Sequence, residues 1–251
     1  MSAVRRWAVE GGRTDLVRPA AATSPVEVTT RRGSVRFDAA RAAFVVVDMQ
    51  NDFCHPGGWL ASIGVDVSAA RAAIGPINRL SPLLRGAGVP VLWLDWGTRA
   101  DRVNLPPNGI NVYDPEGVGA GIGAAHAGSP AVLEEGSWGA ALVDELDVRD
   151  DDIRVSKHRM SGVWDTPLDS ILRTLGIDTV LFAGVNLDQC VYATLIDAAC
   201  LGYDCILVEQ ASATTSPDFC VDATVYNVDQ CFGFCVAAAD LELALTTEGH
   251  H

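Results

Sequence analysis

Four short runs in this chain are almost wholly apolar: 43–48, 90–94, 179–184 and 205–208. A strand with one wet face alternates polar and apolar side chains, whereas a strand buried on both faces reads as a continuous apolar run. Helix-length segments lie between the runs, so the chain is expected to form a mostly parallel sheet covered by helices on both sides. Residues 153–156 and 232–236 add two weaker strand candidates. Helices are expected over 67–85, bent or divided by Pro76 and Pro82, and from Thr166-Pro167-Leu168-Asp169 to near Gly176. Two more are expected over 190–201 and 217–228. The stretch 97–130 is rich in glycine, proline and asparagine and reads as a long loop, of the kind that often walls a substrate site.

With 251 residues, one α/β domain over 41–251 is the simplest division, preceded by a weakly patterned arm over 1–40 that packs on the surface or on a neighbouring subunit. The net charge of −14 argues against nucleic acid or an anionic membrane as partner, since both need clustered cations. No apolar run reaches the ~20 residues of a membrane span, and residues 1–30 lack the apolar core of a secretory signal. Seven cysteines, an odd number without paired zinc spacing, fit free thiols in a cytoplasm. His55, His126 and His158 form no pair at metal-binding spacing, so neither a metal nor a cofactor is expected. His250 and His251, after a Glu-Gly, read as the remnant of a tag rather than as part of the domain.

In open parallel sheets, ligands bind outside the carboxyl ends of the strands. Asp48 ends one strand candidate, and Lys157 follows another. Cys190 lies just past a third, where a strand–helix turn begins. Lys157 is the single lysine among the 18 basic residues; unlike arginine, lysine is a compact point charge. A cysteine near a helix N-terminus and beside an ammonium is expected to have a lowered pKa. Asp48 is placed to take its proton during attack. The N–H groups of Asn186 and Cys190 are the candidates for holding an oxyanion. The competing reading makes Cys190 a small buried hydrophobe, the role expected of Cys200, Cys205, Cys220, Cys231 and Cys235.

Three segments together resemble the isochorismatase-like cysteine hydrolase superfamily. They are Val45-Val46-Val47-Asp48-Met49-Gln50-Asn51-Asp52-Phe53, Ser156-Lys157, and Gly184-Val185-Asn186-Leu187-Asp188-Gln189-Cys190-Val191. The resemblance implies a three-layer α/β/α sandwich around a six-stranded, mostly parallel sheet. It maps the family's Asp–Lys–Cys triad onto Asp48, Lys157 and Cys190, and its non-proline cis peptide onto Val185–Asn186. Segments 136–146 and 161–173 look most like the ureidoacrylate amidohydrolase branch and its carbamoyl-cleaving relatives. Asp95-Trp96-Gly97-Thr98-Arg99 lacks the histidine of the nicotinamidase metal cluster, and Cys190 argues against the vinyl-ether hydrolysis of isochorismatases proper.

The implied substrate is a small ureido, carbamoyl or amide compound. Asn51, Trp96, Asn111, Tyr113 and Trp164 are the pocket candidates, offering amide hydrogen bonds and flat apolar walls. Leu187 replaces the family's usual threonine, which leaves the substrate open, and cyclic-amide opening of the streptothricin-hydrolase type stays in play. So does a catalytically silent binding or assembly module on the same fold. A homodimer or homotetramer is the association state the resemblance implies.

Overall fold

The computed structural model describes residues 7–17, 22–125 and 130–247. His126, the terminal His250–His251 pair and parts of the expected arm lie outside them. In chain order the strands are β1 (Ala8–Glu10), β2 (Arg13–Asp15), β3 (Pro25–Thr30), β4 (Gly33–Asp38), β5 (Ala42–Val47), β6 (Val91–Trp96), β7 (Ile153–Lys157), β8 (Thr179–Gly184), β9 (Asp204–Ser212) and β10 (Gly233–Val236). The helices are α1 (Asn51–Cys54), α2 (Trp59–Ser62), α3 (Ser68–Ala72), α4 (Ile74–Gly86), α5 (Pro107–Ile110), α6 (Leu168–Leu175), α7 (Tyr192–Cys200), α8 (Asp218–Asn227) and α9 (Ala238–Thr247). Two π-helical segments, Leu187–Val191 and Val228–Phe232, precede α7 and follow α8.

Strands β5 to β10 form one six-stranded sheet in the order β10-β9-β8-β5-β6-β7, parallel throughout. Every residue of β5, β6 and β8 is buried, so both faces are covered, as the unbroken apolar runs require. The expected α/β architecture is therefore the observed one. The run 179–184 is a strand from end to end. The strand expected over 90–94 continues through Asp95 and Trp96, which pair in register with Ser156 and Lys157. The helix expected over 67–85 is divided between α3 and α4. Pro76 has no N–H to offer the carbonyl of Ala72, so the break falls just ahead of it.

Strands β3 and β4 make a hairpin that packs on α9 and β10. Arg31 pairs with Glu209 at 2.5 Å, and Arg32 donates to the Gly233 carbonyl at 3.2 Å. Together they cover the open edge of β10, where an uncovered strand would present unpaired backbone groups. The β1–β2 hairpin is largely exposed.

The central position of β5 decides where the site forms. Its carboxyl end lies between those of β8 and β6, with β7 next along the sheet. Gly184 brings β8 close there: at φ 107, a side chain would be strained, and a Cβ would collide with the Val47 carbonyl oxygen. Only glycine fits.

Candidate active site

Immediately past β5 the chain turns sharply. Asp48 takes φ 50, a left-handed conformation that aspartate tolerates better than most residues. Its N–H donates to the Leu94 carbonyl at 2.9 Å, and its own carbonyl accepts from Gln50 N at 2.8 Å. Both neighbours are thus used to aim the carboxyl group. Gln50 then latches the adjacent strand. Its amide oxygen accepts from Trp96 N at 2.7 Å, and its Nε2 donates to the carbonyls of Trp96 and Ala140 at 2.8 and 2.6 Å.

Lys157, the last residue of β7, reaches Asp48 with Nζ 2.7 Å from Oδ2, and both side chains are buried. Nζ also donates to the Arg159 carbonyl at 3.2 Å and lies 4.3 Å from the centroid of the Trp96 ring, a cation–π contact. Ammonium and carboxylate form a close, buried ion pair, with the Cys190 thiol and the Trp96 backbone within hydrogen-bonding reach of the carboxylate.

Cys190 faces both members of this pair. It sits in the π-helical turn rather than in the first turn of an α-helix. There the Asn186 carbonyl accepts from Gln189 N at 3.0 Å and Val191 N at 3.2 Å. Single π turns of this kind recur at functional sites. The Val185–Asn186 peptide ahead of it is cis. Thr194 braces the turn from below: its hydroxyl donates to the Cys190 carbonyl at 2.7 Å and accepts from Gly162 N at 3.0 Å.

Burial governs the protonation of all three groups. It pushes the Cys190 thiol up to about 12; Asp48 adds to the rise, and Lys157 opposes it without cancelling it. The lowered thiol expected from the turn and the ammonium is therefore corrected. Exclusion from water costs the thiolate more than those two features return. Burial also raises Asp48, against the pull of Lys157 and Cys190. For Lys157, burial favours the neutral amine, but Asp48 and Cys190 outweigh it and the pKa is raised. The thiol is therefore neutral at rest, and burial makes the Asp48 carboxyl more basic than an ordinary aspartate.

The pocket candidates divide. Tyr113 is brought to the turn: its hydroxyl accepts from Asn186 Nδ2 at 3.2 Å and lies 3.1 Å from Thr215 Oγ1. Trp96 is buried under the lysine, its indole N–H donating to Thr98 at 3.1 Å. Asn51 is buried, and its Nδ2 is committed to the Trp138 carbonyl at 2.8 Å. Asn111 is exposed and lines no part of the groove beside Cys190. Trp164 is 61% exposed with its N–H on Asp197, also outside that groove. Flat shape and amide groups alone do not bring these two to the groove. Sequence reasoning passed over Met160, whose sulfur lies 3.7 Å from the Cys190 sulfur, and Gln189. Only Gln189 carried a signal, its place directly before the cysteine. Among the described residues, no group of three or more His, Cys, Asp or Glu could hold a metal ion, and no helix is long and apolar enough to cross a membrane.

Residues 42–240 match the Isochorismatase domain family. Among solved structures, a cysteine hydrolase from Pseudomonas syringae pv. phaseolicola 1448A superposes with a TM-score of 0.71 at 22% identity, covering 91% of this chain and 100% of that one. An isochorismatase family protein from Desulfovibrio vulgaris gives 0.64 at 24% identity, over 82% and 98%. N-carbamoylsarcosine amidase from Thermoplasma acidophilum gives 0.59 at 27% identity, over 79% and 96%.

Proposed function

Because the chain belongs to the isochorismatase family, we propose that it is a cysteine-dependent amidohydrolase cleaving the C–N bond of a small ureido, carbamoyl or amide substrate. One observation carries the reading: a buried carboxylate–ammonium pair, 2.7 Å apart, faces a buried thiol. Burying two opposite charges is costly unless the arrangement does something a packed apolar core would not. The likeness to an N-carbamoylsarcosine amidase supports the carbamoyl and amide substrate classes.

Asp48 takes the proton of Cys190 as sulfur attacks the carbonyl carbon. The thiol therefore needs no low resting pKa; a raised carboxylate is the matched acceptor. The N–H groups of Asn186 and Cys190 hold the oxyanion, and Lys157 balances the charge on whichever of Asp48 and Cys190 is ionised. The proton passes from Asp48 to the leaving nitrogen, the C–N bond breaks, and ammonia or an amine departs. Asp48, again a carboxylate, activates a water that cleaves the thioester or thiocarbamate and restores the thiol. Opening a cyclic amide would follow the same steps.

The test is ammonia release from ureidoacrylate, biuret, N-carbamoyl amino acids and nicotinamide, with lactam opening followed by mass. Turnover of at least one compound that disappears in Cys190→Ala is the expected result. Turnover unchanged in Cys190→Ala would refute the mechanism.

A further inference from the structure

An open groove of about 560 Å³ lies beside the nucleophile. Its apolar wall is Val112, Met160, Tyr192, Ala193 and Ile196. Tyr192, Ala193 and Ile196 repeat at the three- and four-residue spacing that puts side chains on one helix face, and Val112 comes from the long 97–130 loop. Met160 belongs to both places, lining the groove and touching the Cys190 sulfur.

At the cysteine end the lining becomes polar. The Tyr113 hydroxyl accepts from Gln189 Nε2 at 3.4 Å as well as from Asn186, and Gln189 Nε2 also lies 3.4 Å from Ser216 Oγ. Amides and hydroxyls of this kind can exchange hydrogen bonds with a ureido or amide head. Among the described residues, no lysine or arginine lines the groove. The one charged side chain among its described lining residues is Asp188, whose Oδ1 accepts the Thr214 hydroxyl at 2.5 Å.

We infer that this groove is the substituent subsite of the nucleophile and that it selects a neutral, apolar substituent, excluding the carboxylate of a ureido acid. The inference rests on the reading of Cys190 as nucleophile. A carboxylate entering the groove would give up hydration, meet no cation and face Asp188. An aryl or alkyl group would bury apolar surface against Met160, Tyr192 and Ile196. Met160 also controls entry. Cys190 is 5% exposed, so the methionine, with its freely rotating side chain, must swing aside before a carbonyl carbon can reach sulfur.

Two chloroacetamides with the same ethylene linker test this, one N-phenethyl and one N-(2-carboxyethyl). The alkylation rate of Cys190 with each is read by peptide mass and divided by that reagent's rate with glutathione. High salt screens the net negative charge of the chain. The phenethyl reagent is expected to be at least tenfold faster after normalisation. Ile196→Arg should narrow or reverse the preference, and Met160→Ala should speed both reagents. A carboxyethyl reagent that matches or outruns the phenethyl one overturns the inference, as does a Cys190 that neither reagent reaches. Failure of the hydrolytic reading shows differently, as ammonia release that survives Cys190→Ala.

Discussion

Lys157 and Asp48 stand or fall together. Replacing one member of a buried pair leaves the other as an uncompensated charge, typically at about 3–5 kcal/mol. Lys157→Met should therefore lower stability by that order in chemical denaturation, and Lys157→Met with Asp48→Leu should recover much of it while staying inactive. Asp48→Asn removes the proton acceptor and is expected to cut kcat by about 100- to 10,000-fold, with folding retained by near-UV circular dichroism. Because burial raises Asp48, the acid limb of kcat/KM should fall above the pH at which an ordinary aspartate titrates, as a property of the coupled group. Asp95 gives a separate signal, in stability. Burial and the nearby Asp48 hold its pKa up at about 7 against the pull of Arg154, 2.7 Å away. The unfolded chain releases that proton near pH 4, so the folded protein binds the extra proton between about pH 4 and 7. Its contribution is present below that window and is lost as pH rises through 7, up to roughly 4 kcal/mol. Asp95→Asn should raise Tm at pH 8 and flatten the slope; an unchanged slope would contradict the assignment.

At the scale of elements, the catalytic arrangement depends on how three strand ends are held. Gly184→Ala would drive a methyl group into the Val47 carbonyl at a positive φ. A loss of roughly 2–4 kcal/mol and of activity is expected, because the turn after β5 would shift. Thr194→Val keeps the shape but strips the hydroxyl that joins Cys190 to Gly162, at about 1–3 kcal/mol for the buried N–H left unpaired; thermal melting checks both variants. Two of these ends were legible in the sequence because continuous apolar runs announce doubly buried strands, and Asp48 closes one such run while Cys190 follows another; Lys157 closes the mixed run 153–157 and stood out as the single lysine. The β3–β4 hairpin was not, since only Val26, Val28 and Phe37 are buried in it and polar residues surround them. Helices α1 and α2 are single turns, too short for any period to show. Met160 was invisible for a tertiary reason: the loop after Lys157 folds back on α7, and no spacing encodes that.

For the molecule as a whole, the sheet order places the site and the long loop supplies one of its walls, through Val112 and Tyr113. The exposed side chains Trp7, Val9, Leu16 and Val17 flank or lie on the first hairpin, where they leave apolar surface in water. We propose that the chain assembles as a dimer or tetramer. Light scattering should then give two or four times the 26.5 kDa chain mass, and a monomer at all concentrations would contradict it. Acid quenching during turnover of an amide substrate reads the covalent role of Cys190 itself. Intact mass followed by peptide mapping should find the acyl group on Cys190, absent from Cys190→Ala together with ammonia release. An unmodified Cys190 during rapid turnover, with Cys190→Ala equally active, would rule out Cys190 as the nucleophile.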